Sequence, residues 1–258
     1  NMIQLYDMIS DFKYTHDLKC AIIPYISINE SKTNILHDLT TNDSSFKSKD
    51  SMFLQDKHIN LMGKQLIGQS SYKLNKNPHA EIEEVSIIMT LDLLSRNNTH
   101  SDNTLHQKDS ILTDPEEMPT ELTEFELIRL SGNQDTALTV SVLYNADDQA
   151  QFIFRLLGDV IDNNIIKSIP HIIPLSVKMT HMFIYNINEN IFTYYVNESS
   201  IPILSIPTDK RLYLDSNSII INNDKLLNAN LYNLLIYNSA IDETYRKGIF
   251  NYLSDINN

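Results

Sequence analysis

The chain has 258 residues, of which 20 are Lys or Arg and 33 are Asp or Glu; its formal net charge is −13, and 42% of its residues are hydrophobic. This apolar fraction is typical of globular proteins and excludes wholesale disorder. The acidic excess argues against binding to duplex nucleic acid, because Lys and Arg neutralise the phosphates in such complexes. The composition therefore predicts a folded protein without identifying its function.

The first fifty residues contain two predicted elements and one polar stretch. Apolar side chains near helical spacing predict a short amphipathic helix over residues 2–14, and residues 18–28 are predicted to form a strand. Residues 29–50 are mostly polar, which favours a mobile loop. The start of the chain does not resemble a signal peptide, and no window of about 18 apolar residues occurs. We therefore expect a protein of the cytoplasm or nucleus that is not secreted and binds no membrane.

Recognisable site chemistry is scarce in this sequence. The single cysteine, Cys20, excludes an internal disulfide and a thiolate zinc site, and its apolar neighbours predict an inert core thiol. The five glycines do not form a phosphate-binding loop or a dinucleotide fingerprint. His181 lies at the start of a predicted strand and is expected to be a hydrogen-bonded structural residue. We predict no catalytic residue, no metal site and no cofactor.

The clearest periodic pattern lies between residues 82 and 94. Apolar residues alternate there along one face of a long predicted strand, at Val85, Ile87, Met89, Leu91 and Leu93.

A polar and acidic run follows this strand, over residues 96–120, and is predicted to be a disordered loop. It separates an N-terminal α+β part, residues 1–95, from a C-terminal α+β part, residues 121–258. The two parts are also compatible with a single domain.

The region after the loop begins with two predicted strands, residues 124–130 and 137–144. Asn145 can cap a helix, and the apolar residues that follow it define one helical face: Ala150, Ile153, Phe154, Leu157 and Ile161.

The last third of the chain is predicted to combine hairpins with helices. Residues 181–187 pair with 191–196, and residues 211–214 pair with 218–221. A helix capped by Asp224 and running to Leu235 precedes a final helix from Ile241 to Ile256. The predicted fold class is α+β: mainly antiparallel strands and hairpins with a central helix and a C-terminal helical pair.

Two features indicate a binding partner. Residues 80–160 contain four basic and sixteen acidic residues, so most of the negative charge lies in the middle third. The final third is rich in Tyr and Phe, which are enriched in protein interfaces. The candidate partner-binding residues are Asp114, Glu116, Glu117, Glu121, Glu124, Tyr245, Phe250 and Tyr252.

The leading hypothesis from the sequence is a non-enzymatic protein–protein interaction domain, a subunit or adaptor of a larger intracellular assembly. One alternative is a hydrolase-like enzyme whose site is assembled from dispersed Asp, His and Tyr residues. Another is an acidic domain that binds a basic protein partner such as histones. Salt dependence of binding discriminates the last hypothesis from the first.

Overall fold

The computed structural model describes most of the chain in separate segments. The described residues are 12–27, 32–40, 45–69, 84–96, 122–131, 137–158, 164–186, 189, 191–200, 202, 204–207 and 218–258. The strands are β1 (Leu18–Ile22), β2 (Lys32–Leu36), β3 (Phe46–Phe53), β4 (Ile59–Asn60), β5 (Leu66–Gln69), β6 (Glu84–Leu93), β7 (Thr123–Ser131), β8 (Ala137–Tyr144), β9 (Ala150–Leu157), β10 (Ile165–Ser168), β11 (Lys178–Asn186), β12 (Ile191–Val196), β13 (Leu204–Pro207), β14 (Ser218–Ile221) and β15 (Ala229–Tyr237). The helical elements are a 3-10 helix (Phe12–Asp17), one short turn (Pro24–Ser27) and the C-terminal helix (Glu243–Asn257).

The strands form two antiparallel sheets. The seven-stranded sheet has the order β1-β15-β6-β11-β12-β13, with β4 also paired to β15, and the eight-stranded sheet has the order β10-β9-β8-β7-β14-β5-β3-β2. Many neighbours in these sheets are far apart in sequence, as in the pairing of β6 with β15 and of β7 with β14. Both sheets contain strands from before and after residues 97–121. The division of the chain into domains stays a prediction.

The main core lies between the two sheets and is rich in aromatic side chains. Phe152 of the eight-stranded sheet is fully buried, and its ring packs edge-on against Phe183 at 5.2 Å and Tyr194 at 5.8 Å in the other sheet. Phe154 stacks on Phe192 with the ring centroids 3.6 Å apart. The predicted alternating faces of β6 and β8 are confirmed, because their alternate apolar residues belong to this core.

A second core lies on the other face of the seven-stranded sheet, under the C-terminal helix. Asp242 caps this helix by accepting a hydrogen bond from the Tyr245 backbone N–H at 2.9 Å. Tyr245 then packs edge-on against Tyr14 at 4.8 Å, and its hydroxyl lies 3.2 Å from that of Tyr237. The helix therefore covers the outer face of this sheet.

The predicted α+β class is wrong, and the central helix is the first reason. The residues after Asn145 form β9, which pairs with β8 through a tight turn. In that turn the Asn145 side-chain oxygen accepts hydrogen bonds from the backbone of Asp147 and Gln149, and Asp148 has a φ of 59°. Asn145 therefore organises a hairpin turn instead of capping a helix, and both sheets are antiparallel β-structure.

The predicted C-terminal helical pair is also wrong. Its first member, from Asp224 to Leu235, is largely the strand β15, and only the final helix is present. Residues 234–237 of this strand are buried on both faces, by the main core and by the second core under the helix, so four consecutive apolar residues hide the period of two.

The remaining predictions of local structure divide into three groups. The hairpin of β11 and β12 is confirmed. The mobile loop predicted over residues 29–50 is wrong in part, because β2 and β3 pair there as polar strands at the sheet edge. Most of the predicted helix at 2–14, nearly all of the loop at 96–120 and the strand at 211–214 lie outside the described residues. The strand β14, the predicted partner of 211–214, pairs with β5 and β7.

Candidate binding site on the eight-stranded sheet

The outer face of β7, β8 and β9 carries charged and hydroxyl side chains. On β7 the outward residues are Glu124 and Glu126, followed by Arg129. A register shift between Glu126 and Ile128 marks a bulge that leaves Leu127 and Ile128 buried and places Arg129 on the outer face. One extra residue in the strand thus brings two carboxylates and a guanidinium to the same surface.

The neighbouring strands complete this polar array. Arg155 of β9 binds both oxygens of Glu124, with 2.7 Å between Nη2 and Oε2, and its Nη1 lies 3.4 Å from the Ser141 hydroxyl of β8. The hydrogen bond from Arg155 is the main reason that the pKa of Glu124 is lowered. On β7 itself, Arg129 Nε donates to Glu126 Oε1 at 2.8 Å. The four charges are therefore arranged as two ion pairs.

These residues line a depression with a volume of about 480 Å³. Its wall also includes Thr139, Leu157, Asn223 and Asp224. Within the described part of the chain, Glu126 Oε2 is a buried oxygen that accepts no hydrogen bond. The depression is therefore lined by two carboxylate–guanidinium pairs and by polar side chains of the neighbouring strands. We refer to Glu124, Glu126, Arg129, Ser141 and Arg155 as the polar site.

The turn that follows β14 positions one side of the polar site. Asn222 is buried at a φ of 54°, and its amide donates to the Leu61 carbonyl at 2.7 Å. Its side-chain oxygen accepts from the Leu227 N–H at 3.1 Å, and its own N–H donates to the Leu127 carbonyl at 2.9 Å. Asn222 thereby fixes the turn that presents Asn223 and Asp224 to the depression.

His181 is a buried titratable group outside the polar site. Its Nδ1 lies 2.6 Å from the Tyr194 hydroxyl, and its ring packs against Phe152 at 4.9 Å, so the predicted structural role is confirmed. Burial, with a smaller contribution from His171, lowers the pKa of His181 to about 3. His181 therefore stays neutral in the folded protein at pH values where an exposed histidine becomes charged.

This pKa predicts acid destabilisation below the ordinary histidine pKa of roughly 6.5. The unfolded chain then binds a proton that the folded chain does not bind until about pH 3, so stability present above pH ~6.5 is lost as the pH falls. Urea unfolding of wild type and of His181→Gln at pH 7 and pH 5 measures this contribution. We expect the difference between the two proteins to change by about 2 kcal/mol. Parallel pH profiles for the two proteins would contradict the prediction.

The structure separates the eight candidate partner-binding residues. Glu124 belongs to the polar site, whereas Tyr245 and Tyr252 are buried against the chain's own sheet and Phe250 packs beside them. A role of these three aromatic residues in partner binding stays a prediction. The remaining four lie outside the described residues: Asp114, Glu116, Glu117 and Glu121.

Four residues of the polar site were missed in the sequence: Glu126, Arg129, Ser141 and Arg155. Each of the two arginines is the one basic residue of its strand, and its neighbours in the strand are mostly apolar. The available signal was a charged residue at an outward position of each strand. Arg129 follows Glu126 on β7, and Arg155 of β9 pairs with Thr139 of β8.

Other kinds of site find little support among the described residues. They contain no group of three or more His, Cys, Asp or Glu side chains placed to hold a metal ion. Cys20 is fully buried, and burial raises the pKa of its thiol, as expected for the inert core residue predicted from the sequence. In the part of the chain that the structure describes, no helix is long and apolar enough to cross a bilayer.

The molecule is an antiparallel β-sandwich with a polar depression on one outer face, and its fold resembles that of toxin binding domains. The ligand binding domain of botulinum neurotoxin serotype D, solved in complex with N-acetylneuraminic acid, matches with a TM-score of 0.62 and 14% identity over 95% of this chain and 52% of that chain. The binding domain of Paraclostridial Mosquitocidal Protein 1 matches with a TM-score of 0.62 and 16% identity, over 93% of this chain and 53% of that chain. The binding domain of botulinum neurotoxin serotype G gives a TM-score of 0.61 at 11% identity, over 92% and 51% of the two chains.

The chain spans about half the length of these solved structures. At such identities the likeness shows the fold alone. No protein-family model and no curated protein matches the sequence.

Proposed function

We propose that this chain is a non-enzymatic binding domain that recognises a carbohydrate at the polar site. The observation that carries this proposal is the depression itself, whose wall combines two carboxylate–guanidinium pairs with the hydroxyl groups of Thr139 and Ser141. The depression has a volume of about 480 Å³, which is enough for a ligand with more than one ring.

The chemistry of the polar site suits a polyhydroxylated molecule. Sugar hydroxyls both donate and accept hydrogen bonds, carboxylate oxygens accept them, and guanidinium groups donate several in one plane. Because Glu124 and Glu126 are paired with Arg155 and Arg129, the site presents many donors and acceptors with little net charge. The fold likeness to binding domains, one of them solved with the sugar acid N-acetylneuraminic acid, supports the same proposal.

The proposal predicts that Glu126→Ala abolishes most of the carbohydrate binding. A hydrogen bond to a charged group contributes roughly 1.5–3 kcal/mol, so we expect the affinity to fall by roughly tenfold or more. A glycan array identifies the ligand, and isothermal titration calorimetry with the strongest binder measures the loss.

Glu198→Ala is the matched control, because Glu198 is an exposed glutamate that follows β12 in the other sheet. Glu126→Gln keeps the side-chain shape and distinguishes loss of the carboxylate from local rearrangement around Arg129. A protein that binds no glycan, or binds equally well with both Glu126 variants, would contradict the proposal.

Glycoside hydrolysis is a second candidate, favoured by the position of Glu124 and Glu126 on one face of one strand. Alternate residues of a strand lie roughly 7 Å apart, within the range that hydrolysing carboxylate pairs use. One of the pair must be protonated to act as the acid, however, and Arg155 lowers the pKa of Glu124. Binding without turnover is therefore the better-supported function. The appearance of new reducing ends in an oligosaccharide incubated with the protein would favour hydrolysis instead.

Binding of a protein partner is the third candidate. The adaptor hypothesis, the intracellular location and the binding of a basic partner stay predictions, since the acidic segment that motivated them lies almost wholly outside the described residues. A reproducible protein partner, together with a negative glycan array, would favour this candidate.

A further inference from the structure

The charges in the wall of the depression do not balance. Two of its carboxylates, Glu124 and Glu126, are paired with the guanidinium groups of Arg155 and Arg129. A third carboxylate, that of Asp224, lies in the same wall. Three carboxylates against two guanidinium groups leave the depression with a net charge of −1.

The unbalanced charge belongs to Asp224. This residue is exposed, and its carboxylate makes no hydrogen bond or ion pair in the part of the chain that the structure describes. The adjacent cation does not neutralise it, because the Lys225 ammonium binds Asp50 at 3.2 Å. The carboxylate of Asp224 is therefore available to a bound molecule.

The turn that carries Asp224 is held in place on both sides of it. The Lys225 N–H donates to the Asn222 carbonyl at 3.0 Å and closes a β-turn, in which Asn223 and Asp224 are the two central residues. The Gln65 amide anchors Asn223 by donating to its backbone and side-chain oxygens, at 3.1 and 2.8 Å. Because the backbone on either side of Asp224 is already fixed, a ligand that binds there does not have to order the turn.

The lysines of strand β3 are separated from the depression by β5 and β14. Lys47 pairs with Ile67, which pairs with Ile220. Ile220 in turn pairs with Arg129 of the depression. The three strand spacings of this row amount to roughly 14 Å, which exceeds the Debye length of about 8 Å at physiological ionic strength. The charge of Lys47 is therefore largely screened from a ligand beside Arg129.

We propose that the depression selects amino sugars, with the ammonium group of the sugar bound to Asp224 and its hydroxyl groups bound by the polar site. This proposal rests on the proposed carbohydrate-binding function and narrows its ligand class. An ammonium has three donors and a positive charge, and a carboxylate without a donor of its own is their natural acceptor. N-acetylation of the sugar removes the charge, and a sugar acid meets repulsion from the same carboxylate.

The test is a glycan array that prints each neutral oligosaccharide beside the counterpart in which an amino group replaces one hydroxyl, and beside the N-acetyl derivative of that counterpart. The array is read at about pH 6, where an amino group with a pKa of roughly 8 is charged. We expect the wild-type chain to bind at least one amino form roughly fivefold more tightly than both neutral forms, as for a favourable exposed ion pair. Added salt is expected to reduce this preference.

Asp224→Asn is the variant that tests the carboxylate, because the amide keeps the shape of the side chain and removes its charge. We expect it to bind the three forms within roughly twofold of one another. Asp255→Asn is the matched control, since Asp255 is an exposed aspartate of the C-terminal helix, which covers the other sheet. Urea unfolding of both variants checks that each is as stable as the wild type.

Equal binding of the three forms by the wild type, or an unchanged preference in Asp224→Asn, would overturn the amino-sugar proposal while leaving carbohydrate binding in place. Binding to no glycan would overturn both. An oligolysine peptide that bound at the depression as tightly as the amino glycan would show a surface for cations in general and would also overturn the proposal.

Discussion

Replacement of Phe152 by Ala is expected to lower the free energy of unfolding by about 4 kcal/mol, in the range measured for buried Phe-to-Ala changes. The ring is fully buried between the two sheets and packs edge-on against His181, Phe183 and Tyr194, at centroid distances of 4.9, 5.2 and 5.8 Å. Removing it leaves a cavity where the sheets meet, and two facing sheets held by hydrogen bonds can close such a cavity only in part. Urea unfolding followed by circular dichroism measures the change.

Phe53→Ala is the matched control for this prediction. Phe53 is 50% exposed at the edge of the same sheet, and its ring contacts the Lys32 ammonium at 5.7 Å. We expect this variant to lose less than about 1 kcal/mol, because little apolar area leaves water there on folding. If Phe152→Ala were no more destabilising than Phe53→Ala, the aromatic cluster would not hold the two sheets together as described.

Replacement of Asn222 by Ala is expected to lower the free energy of unfolding by about 3 kcal/mol. The substitution removes the hydrogen bonds that the side chain makes with the Leu61 carbonyl and the Leu227 N–H. The Leu61 carbonyl still accepts from the Lys64 N–H, whereas the buried Leu227 N–H loses the Asn222 side-chain oxygen that it donates to. It also places alanine at a φ of 54°, a conformation that disfavours Ala by about 1 kcal/mol. Thermal and urea unfolding of the variant measure the combined loss.

Asn222→Gly separates the two causes. Glycine adopts the positive φ without strain but has no side chain, so it should be less destabilising than Ala by about 1 kcal/mol. Both variants should also weaken ligand binding by the folded protein, since the turn positions Asn223 and Asp224 in the wall of the depression. Stability equal to wild type in Asn222→Gly would mean that the side-chain hydrogen bonds contribute nothing.

Strands with one strongly apolar face were predictable from the sequence. In β6 and β8 the residues that face the main core alternate with residues of different character or smaller size, so the period of two is visible. The hairpin of β11 and β12 was predictable for a related reason, since two such strands flank a short polar segment. These patterns are local, and local patterns report the face that a strand buries.

The two helices predicted in error share one physical cause. β9 and β15 are so apolar that their residues satisfy helical spacing as well as alternation, and their true pairing partners decide between the two. β9 becomes a strand because the Asn145 turn places it beside β8, with which it pairs. β15 becomes a strand because it pairs with β6 and β1, which lie far away in the sequence. Neither partner can be identified from a local window.

The candidate site was predictable only at Glu124, and that residue was selected for its place in an acidic segment. In the structure Glu124 contributes through its bidentate contact with Arg155, which lies 31 positions further along the chain. The participation of Arg129 depends on the β7 bulge, which shifts the outward face by one residue.

The sequence by itself determined that the chain folds around a large apolar core, that its single cysteine is inert, and that its net charge of −13 lies mainly in the middle third. These properties follow from composition and from local patterns, which act without reference to distant residues. The tertiary structure alone decided that the strands form two antiparallel sheets, that Tyr245 and Tyr252 pack in the chain's own core, and that two carboxylate–guanidinium pairs share one outer face. The reason is that strand order and register place residues side by side across hydrogen-bonded neighbours, and those neighbours are distant in the sequence.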